Sequence, residues 1–306
     1  MTLNQPHLKH SLNDLKNQAE QLVNERKQTG EIYTFAIGLP QTGELVCTNS
    51  QKLYSASVMK LFVMAAIMDQ YDQIIERYGR NRIDDALEGM ITASSNTDWA
   101  LLVMVLGDGD YQKGVRVLKE WNLEHGYPET EMVIDPYGNY TSVRDVAKLL
   151  MDIDQNRLRK SEQMKDLLER QAIPGRIRAG LPKDVSVGNK PGWIDHHDHD
   201  AAIVFSPKGT YVLCVMSEDL HNTKNIQDLT RDLSSLVYDW MQENMEDFTT
   251  DPRAYREPVR QDRSLILKTL KTNTSTLLEA FHTLEANWNS LMDSGSNRSE
   301  ESENHE

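Results

Sequence analysis

Short apolar segments with the composition of β-strands lie in two separate parts of the chain. In the first part, Glu31 to Leu39 and Glu44 to Thr48 flank Pro40-Gln41-Thr42-Gly43, a sequence that favours a hairpin turn. In the second part, three β-rich segments follow one another, and Ser206-Pro207-Lys208-Gly209 forms a turn between the last two: Val185 to Lys190, Ala201 to Phe205 and Tyr211 to Ser217. The pattern therefore predicts strands from two distant regions.

Between these regions, from Ser57 to Leu181, the apolar residues recur at the three- and four-residue spacing of helices. The run Leu61 to Met68 is apolar on every side, as expected for a helix that is buried all round. The helical pattern lapses between Leu123 and Tyr140, where glycine and proline interrupt it. Further helices are predicted within Pro6 to Lys27 and from Ile226 to Trp240. Strands that enclose helices in this way predict one sheet with a helical subdomain inserted.

We therefore expect a main domain over residues 1–246, with a sheet part at 1–50 and 183–246 and a helical part at 51–182. A helical extension is predicted over 247–292, because apolar residues from Leu267 to Leu291 follow a heptad seam with one polar break. The helix at 265–292 is expected either to pack on the body of the protein or to associate with a second copy. Residues 293–306 are polar and acidic, and they are predicted to be a disordered tail.

Composition narrows the classes of function. The formal net charge of −14 argues against a nucleic-acid partner, because a polyanion would be repelled and no basic segment would hold it. No apolar stretch has the length of a transmembrane helix, and Met1 to Arg26 contains no hydrophobic signal-peptide segment. Cys47 and Cys214 fall in predicted strands, where buried free thiols are the commoner case.

The segment Ser57-Val58-Met59-Lys60 opens the buried helix and carries the first candidate chemistry. Residues three apart in a helix lie on one face, so the hydroxyl of Ser57 and the amine of Lys60 are expected to meet. A serine becomes a nucleophile when a neighbouring base takes its proton, and a lysine partly removed from water loses its own proton more readily. The free backbone N–H groups at a helix N-terminus would bind an oxyanion beside Ser57. Alone, the S-x-x-K pattern is loose and often occurs by chance.

Two later segments make the pattern more specific. Ser94-Ser95-Asn96 reads S-x-N and Lys190-Pro191-Gly192 reads K-x-G, so the chain contains S-x-x-K, S-x-N and K-x-G in that order. This ordered set is the signature of penicillin-binding proteins and class A β-lactamases. From about Tyr33 to Trp240 the chain resembles class A β-lactamases and related serine hydrolases. The resemblance implies a β-lactamase/transpeptidase-like fold of the α/β (α+β) class, in which an antiparallel sheet is flanked by helices and the catalytic cleft lies between the sheet and the helical subdomain.

The resemblance also implies catalytic roles for four residues. Ser57 would be the nucleophile and Lys60 its proton acceptor. Ser94 would pass a proton to the leaving nitrogen. Lys190 would attract the carboxylate of the substrate and polarise Ser94. The reaction would pass through an acyl-serine intermediate, and no metal or cofactor is implied.

Four further residues would bind the substrate. Asn96 would hold the substrate amide and Lys60 by hydrogen bonds. The backbone N–H groups of Ser57 and Trp193 would bind the developing oxyanion, and Gly192 would permit the close approach of the backbone that this requires. Pro191 replaces the usual threonine or serine of the K-x-G motif, so a hydroxyl that would bind the substrate carboxylate is lost.

Each of these motifs has a structural alternative. Ser94 and Asn96 could cap the helix that begins near Thr97, because serine and asparagine are favoured N-cap residues. Lys190-Pro191-Gly192 could form a simple turn. The ordered occurrence of all three motifs favours the catalytic interpretation.

One expected group is missing. Class A enzymes position the deacylating water with a loop glutamate in an E-x-x-L-N motif, whereas the corresponding interval, Leu123 to Tyr140, contains no such motif. Glu129 and Glu131 are weak candidates, and solvated loop carboxylates are the simpler interpretation of both. A missing base costs about 100 to 10,000-fold in the step that it serves, so slow deacylation is expected.

The segment Asp195-His196-His197-Asp198-His199-Asp200 is dense in metal-ligand residue types. Four of its six residues fall in the expected turn between two strands, where polar residues need no further cause. The resemblance accounts for Asp200, which precedes the Ala-Ala-Ile-Val strand. We therefore predict no metal site.

The most specific interpretation is a serine hydrolase that acts on a small-molecule β-lactam or a related acyl-amide. The first alternative is a D-alanyl-D-alanine peptidase or esterase that releases β-lactams slowly. An alternative of another class is a non-catalytic binding protein that uses its C-terminal helix. Family enzymes usually act in the cell envelope or outside the cell, and the sequence itself does not assign a compartment.

Overall fold

The computed structural model describes residues 8–133, 138–173 and 175–245 of the 306-residue chain. The predicted helical extension at 247–292, including its proposed role in self-association, lies outside the described residues. The predicted tail at 293–306 lies outside them as well. Among the residues that the structure describes, no helix is both long and apolar enough to cross a membrane.

A five-stranded antiparallel sheet forms the centre of the protein, with the strand order β2-β1-β7-β6-β5. The first strand of the chain pairs directly with the last, so the two distant strand-rich regions build one sheet, and the predicted fold class is confirmed. The strands are β1 (Ile32–Leu39), β2 (Glu44–Cys47), β5 (Ser186–Ile194), β6 (His197–Ser206) and β7 (Gly209–Glu218). A second sheet of two residues per strand, which the sequence pattern did not predict, joins β3 (Leu53–Tyr54) to β4 (Tyr140–Thr141).

Helices cover both faces of the sheet. The helices that contribute to the core on one face are α1 (Leu12–Arg26), α9 (Arg176–Ala179) and α10 (Thr223–Asn244). The remaining helices belong to the core on the other face: α2 (Lys60–Asp69), α3 (Tyr71–Tyr78), α4 (Arg80–Thr92), α5 (Asn96–Leu106), α6 (Tyr111–Glu124), α7 (Val143–Asp154) and α8 (Ser161–Glu169). The predicted helical segments are therefore present, and the separate β3–β4 pair lies within this part of the chain.

Two hydrophobic cores lie on opposite faces of the sheet, as the alternation of β1 shows. Tyr33, Phe35, Ile37 and Leu39 are two residues apart and belong to the core beneath α1 and α10. Ala36, between them, belongs to the larger core formed with the other helices. Both faces of β1 are therefore buried, which explains its nearly continuous apolar sequence.

Helix α2 lies in the middle of the larger core. Every residue from Lys60 to Met68 is buried, which agrees with the prediction that this helix is surrounded by protein. Burial of each large aliphatic or aromatic side chain is worth roughly 1.5 to 3 kcal/mol. Lys60, at the first position of α2, is the one charged residue between positions 60 and 68.

The two cysteines are free thiols. Cys47 and Cys214 lie on opposite sides of β1, and both are paired in register with Ala36. Two steps across a sheet place their Cα atoms roughly 9 to 10 Å apart. A disulfide requires a Cα separation below about 7 Å, so the two residues cannot pair in this fold.

Candidate active site

Ser57 lies on a turn of 3₁₀ helix, Ala56–Met59, and Lys60 is the first residue of α2, which follows directly. The sequence analysis expected Ser57 on the α-helix as well. In a 3₁₀ helix residues three apart lie directly above one another, which brings the two side chains together. The distance from Lys60 Nζ to Ser57 Oγ is 3.2 Å. Ala56 has a φ of 44°, so the backbone enters this turn in a conformation that is costly for a residue with a Cβ.

The loop between α4 and α5 brings Ser94 and Asn96 to the same lysine. Lys60 Nζ lies 2.6 Å from the Ser94 carbonyl oxygen, 3.2 Å from Ser94 Oγ and 2.7 Å from Asn96 Oδ1. Ser94 itself adopts a left-handed backbone conformation with a φ of 57°. The structural alternative for this motif is wrong, because Ser95 caps α5 by accepting a hydrogen bond from the Asp98 N–H. Ser94 and Asn96 are therefore left to contact Lys60.

Lys190 reaches Ser94 from the sheet. Its Nζ donates hydrogen bonds to Ser94 Oγ at 2.9 Å and to the Pro191 carbonyl at 3.0 Å, and the side chain is fully buried. The alternative of a simple turn is wrong, because Lys190, Pro191 and Gly192 continue strand β5 in register with β6. A proline is tolerated there because β5 is an edge strand and needs no N–H for an outer neighbour.

The structure therefore joins three distant segments in one chain of hydrogen bonds. It runs from Ser57 through Lys60 and Ser94 to Lys190, and no step is longer than 3.2 Å. The four residues predicted to be catalytic are thus adjacent to one another.

Burial lowers the pKa of both lysines. It lowers the pKa of Lys60 from 10.5 to about 7, and the carboxylate of Asp98 opposes this shift. Burial also lowers the pKa of Lys190 well below its ordinary value, and the nearby charge of Lys60 lowers it further, against an opposing effect of Asp200. A substantial fraction of Lys60 is consequently neutral at physiological pH and can accept a proton.

The contacts of Lys60 agree with a neutral amine. The Ser94 carbonyl and Asn96 Oδ1 make the two shortest contacts, and both oxygens can only accept. A neutral amine has two protons, and when both are donated to these acceptors its lone pair remains for a hydroxyl proton. The hydroxyls of Ser57 and Ser94 both lie 3.2 Å from this nitrogen. The arrangement can therefore carry a proton from one hydroxyl to the other.

Gly192 allows strand β5 to approach the turn that carries Ser57. A Cβ atom at Gly192 would lie 2.9 Å from the Ser57 nitrogen and 3.1 Å from the Val58 nitrogen, which is closer than such atoms pack. The next residue, Trp193, is half exposed at the surface. The close approach brings the backbone of β5 next to the N–H of Ser57, as an oxyanion site formed with Trp193 would require.

An open cleft of about 250 Å³ lies over these residues, slightly smaller than most small-molecule sites. Ser57, Lys60, Asn96 and Trp193 line it, as predicted. The sequence analysis missed the other residues of its lining: Tyr54, Ala56, Met59, Trp99, Asn139 and Ile194. Tyr54 and Asn139 belong to or adjoin the short β3 and β4 strands, whose two-residue length leaves no alternating pattern in the sequence.

No carboxylate is among the described residues that line the cleft. Glu129 instead accepts hydrogen bonds from Ser50, at 3.0 Å, and from Ser142. Glu131 forms an ion pair with Lys52 at 3.3 Å. Both glutamates therefore have partners outside the described cleft.

The segment Asp195 to Asp200, rich in histidine and aspartate, has a structural role. The sequence analysis placed four of its residues in a turn, whereas His197 to Asp200 belong to β6 and only the first two residues form the turn. Asp198 forms a buried ion pair with Arg176 at 2.8 Å. His199 Nδ1 accepts from the Ser217 N–H at 3.2 Å, so its Nε2–H donates to the Tyr54 carbonyl at 2.7 Å. No group of three or more metal-ligand side chains occurs within the described part of the chain.

Comparisons with known proteins agree with this geometry. A model of the Beta-lactamase enzyme family matches residues 74–241, which is more than half of the chain. The matched range contains Ser94, Asn96 and Lys190, and it begins after Ser57 and Lys60. A comparison with curated protein sequences gives no match.

Solved structures show the same fold at low sequence identity. PBP-A is 23% identical with a TM-score of 0.66, and the match covers 77% of this chain and 98% of PBP-A. A β-lactamase from Sphaerobacter thermophilus is 19% identical with a TM-score of 0.65, over 74% of this chain and 98% of that one. The class A β-lactamase of the last common ancestor of Gram-negative bacteria is 20% identical with a TM-score of 0.62, over 73% and 97% of the two chains. The family match and the fold together show that the chain belongs to the β-lactamase enzyme family.

Proposed function

We propose that this protein is a serine hydrolase that opens a β-lactam or a related acyl-amide through an acyl-Ser57 intermediate. The observation that carries the proposal is the position of Lys60, whose amine lies 3.2 Å from both the Ser57 and the Ser94 hydroxyls and has a pKa of about 7. The packing of a buried apolar helix does not require a lysine at its first position. Burying an amine raises the free energy of the folded protein unless the amine has hydrogen-bond partners or a chemical role.

Acylation follows from the geometry. The neutral amine of Lys60 takes the proton of Ser57, and the Ser57 oxygen attacks the carbonyl carbon of the substrate. The N–H groups of Ser57 and Trp193 stabilise the negative charge on the carbonyl oxygen. As the carbon–nitrogen bond breaks, Ser94 gives its proton to the leaving nitrogen and recovers one from Lys60. Lys190 holds the Ser94 oxygen in place throughout.

The specific feature that favours the peptidase-like alternative is the lack of a carboxylate among the described residues of the cleft. Without such a base the acyl-enzyme would form readily and break down slowly. A mutant of the structural neighbour PBP-A has been captured as an acyl-enzyme complex with penicillin-G, which makes penicillin G a suitable probe for this chain. The loss of the motif hydroxyl at Pro191 is expected to weaken binding of a substrate carboxylate.

Mass spectrometry of the intact protein after exposure to penicillin G tests the proposal. A transient adduct at Ser57 with hydrolysed penicillin as product supports a β-lactamase. A lasting adduct at Ser57 supports the peptidase or esterase alternative, which shares the acylation chemistry. No adduct at saturating penicillin G, together with no turnover of activated esters, would contradict the proposed hydrolase and favour the non-catalytic binding protein.

A further inference from the structure

Exposed apolar side chains are concentrated beside the catalytic cleft. Trp193 and Ile194 line the cleft, and they are 50% and 41% exposed. Tyr54 lines it as well, and its ring lies 6.4 Å from that of Tyr140, which is 36% exposed. Trp193, Ile194 and Tyr140 are three of the six exposed large apolar side chains in the described part of the chain. A concentration of this kind at a cleft indicates a binding surface.

Strand pairing brings these side chains together. His197 is the cross-strand partner of Ile194, so the two side chains are neighbours on one face of the sheet. The ring of His197 also lies 5.6 Å from the ring of Tyr54. Ile194 and Tyr54 therefore border the same histidine. Together with two further apolar residues of the cleft they form a surface that we call the apolar wall: Tyr54, Met59, Trp99, Trp193 and Ile194.

Arg176 borders the apolar wall, and its charge is already paired. The guanidinium binds both oxygens of Asp198, with Nη2 donating to Oδ2 at 2.8 Å and Nε lying 2.8 Å from Oδ1. Gln227 donates a further hydrogen bond to Asp198 at 2.9 Å, and the ring centroid of Trp193 lies 5.3 Å from Arg176 Cζ. The side chains of Arg176 and Asp198 are only 13% and 3% exposed, so separating them would leave a buried charge unpaired.

The two lysines of the site are also occupied. Lys190 is fully buried and donates to Ser94 Oγ and to the Pro191 carbonyl. Lys60 is the one basic side chain among the described residues that line the cleft, and its shortest contacts are to the Ser94 carbonyl and Asn96 Oδ1. In the form that accepts a proton, Lys60 is uncharged. Neither lysine therefore supplies a free positive charge to a ligand.

These pairings disfavour a negatively charged substrate. A carboxylate that enters the cleft loses water, and burial of a charge is strongly unfavourable unless a cation or hydrogen-bond donors replace that water. The sequence of residues 134–137, Ile-Asp-Pro-Tyr, adds no basic side chain. The formal net charge of −14 adds a repulsion of anions. An uncharged aromatic group would instead bury apolar area against the wall.

We infer that the cleft selects uncharged acyl compounds that carry an aromatic or similarly flat apolar group, which the apolar wall binds. This inference rests on the proposed function and names its substrate class as neutral esters or amides rather than compounds with a free carboxylate. The chemistry is unchanged: Ser57 Oγ bonds to the acyl carbon, the bond to the leaving nitrogen or oxygen breaks, and the leaving atom takes a proton from Ser94. Tyr54, Trp193 and Ile194 determine specificity.

Two probes that differ in charge test the first part. The full-length protein is reacted with penicillin G and with penicillin G methyl ester, and the rate of acylation at Ser57 is followed by intact-protein mass spectrometry. The ring-opened ester keeps its methyl group, so the two adducts differ in mass. We expect the ester to react at least as fast as the acid. A cleft that pairs the carboxylate would favour the acid by about 10 to 100-fold, and a preference for the acid above about threefold would overturn the inference.

Release of Arg176 should create a preference for the acid. Asp198→Asn removes the carboxylate that holds the guanidinium, and we expect the ratio of the two rates to shift toward penicillin G by about tenfold. Asp232→Asn removes the partner of Arg26 on a different part of the protein and is the matched control, in which the ratio should stay constant. An unchanged ratio in a folded Asp198→Asn protein would overturn the role of the ion pair, and the two probes on the parent test the charge preference without any variant.

A second pair of probes tests the apolar wall. p-Nitrophenyl phenylacetate and p-nitrophenyl acetate share a leaving group, and only the first has an aromatic acyl group. Each enzymatic rate is divided by the spontaneous hydrolysis rate, with Ser57→Ala as the blank. We expect the parent to prefer the phenylacetate and Trp193→Ala to lower this preference about fivefold, whereas Trp193→Phe retains it. Leu123→Ala, which removes an exposed apolar side chain on α6 away from the cleft, should have no effect.

The outcomes separate this inference from the proposed function. No preference for the phenylacetate in the parent, or the same preference in Trp193→Ala, would overturn the role of the apolar wall alone. Adducts that form mainly with penicillin G would overturn the charge selection alone. No adduct with either penicillin probe and no p-nitrophenol release above the Ser57→Ala blank would overturn the proposed function and this inference together.

Discussion

The backbone of Gly192 and the backbone of Ser57 are so close that a single added methyl group would separate them. A Cβ at Gly192 would lie 2.9 Å from the Ser57 nitrogen, and the neighbouring atoms are backbone rather than a flexible side chain. Ser57, the proposed nucleophile, is therefore positioned against strand β5 as well as within its own turn.

Gly192→Ala should reduce acylation at least tenfold, because the alanine forces β5 away from the Ser57 N–H that stabilises the oxyanion. The loss of acylation is measured as the rate of adduct formation with penicillin G in the parent and in Gly192→Ala. Gly188→Ala is the control for strain in the same strand, since a Cβ there would meet Leu168 at 3.0 Å and leave Ser57 untouched. Equal losses in both variants would show that the effect is general strain in β5.

Ser57→Ala should abolish the covalent adduct, because no other atom replaces the attacking oxygen. Ser55→Ala is the matched control, since Ser55 precedes the same turn and its hydroxyl contacts only the Ala56 carbonyl among the interactions described. Intact-protein mass spectrometry checks both variants. Labelling of Ser57→Ala at the parental rate would mean that the nucleophile has been misassigned.

The acylation rate should rise about tenfold between pH 6 and pH 8 and then level off. The neutral form of Lys60 is the base, and its pKa of about 7 places this change in the neutral range. The pH dependence of the second-order rate constant for adduct formation measures it. Lys60→Ala should lower the rate about 100 to 10,000-fold and remove this titration. A rise with the same midpoint in Lys60→Ala would assign the titration to another group.

Ser94→Ala and Lys190→Met should each slow acylation by about 100-fold, and the double variant should be little slower than either one. Lys190 acts on the leaving group through its 2.9 Å hydrogen bond to Ser94 Oγ, so the two residues work as a unit. A double-mutant cycle on the acylation rate measures the coupling. Fully additive effects would indicate that Lys190 acts on the substrate directly.

His199 should make the protein less stable in mild acid. Burial lowers its pKa from 6.5 to about 4 in the folded state, so between these values the unfolded chain binds more protons than the folded one. This contribution to stability is therefore present above pH 6.5 and is lost as the pH falls toward 4. Urea denaturation at pH 7 and pH 4.5 should show a loss of about 2 kcal/mol more in the parent than in His199→Gln. The same loss in both proteins would contradict this assignment.

The sequence predicted the parts of the site that depend on local geometry. Ser57 and Lys60 are three residues apart in one helical turn, so their contact follows from the chain itself. The convergence of Ser94 and Lys190 could be expected only from the resemblance, because hydrogen bonds between distant segments leave no periodic signal. Asn139 and Tyr54 could not be found, since they are positioned by strands of two residues and a main-chain bond to Ser55.

Two structural alternatives for the motifs are wrong for identifiable physical reasons. Lys190-Pro191-Gly192 has the composition of a turn, yet the edge position of β5 removes the cost of proline in a strand. The sequence analysis considered Ser94 and Asn96 as caps of α5, and the cap is Ser95, the residue between them. Choosing among adjacent cap candidates requires the direction in which the chain enters the helix, and tertiary contacts decide that direction.

The burial of Lys60 links reactivity to the completion of folding. In an unfolded chain this amine would be an ordinary lysine with a pKa near 10.5, almost wholly protonated at neutral pH. It becomes a base only when the loop at Ser94 and the helical core close around it. Under the proposed function, an incompletely folded molecule would lack its base, and a reagent that reacts with uncharged amines would label Lys60 only after folding is complete.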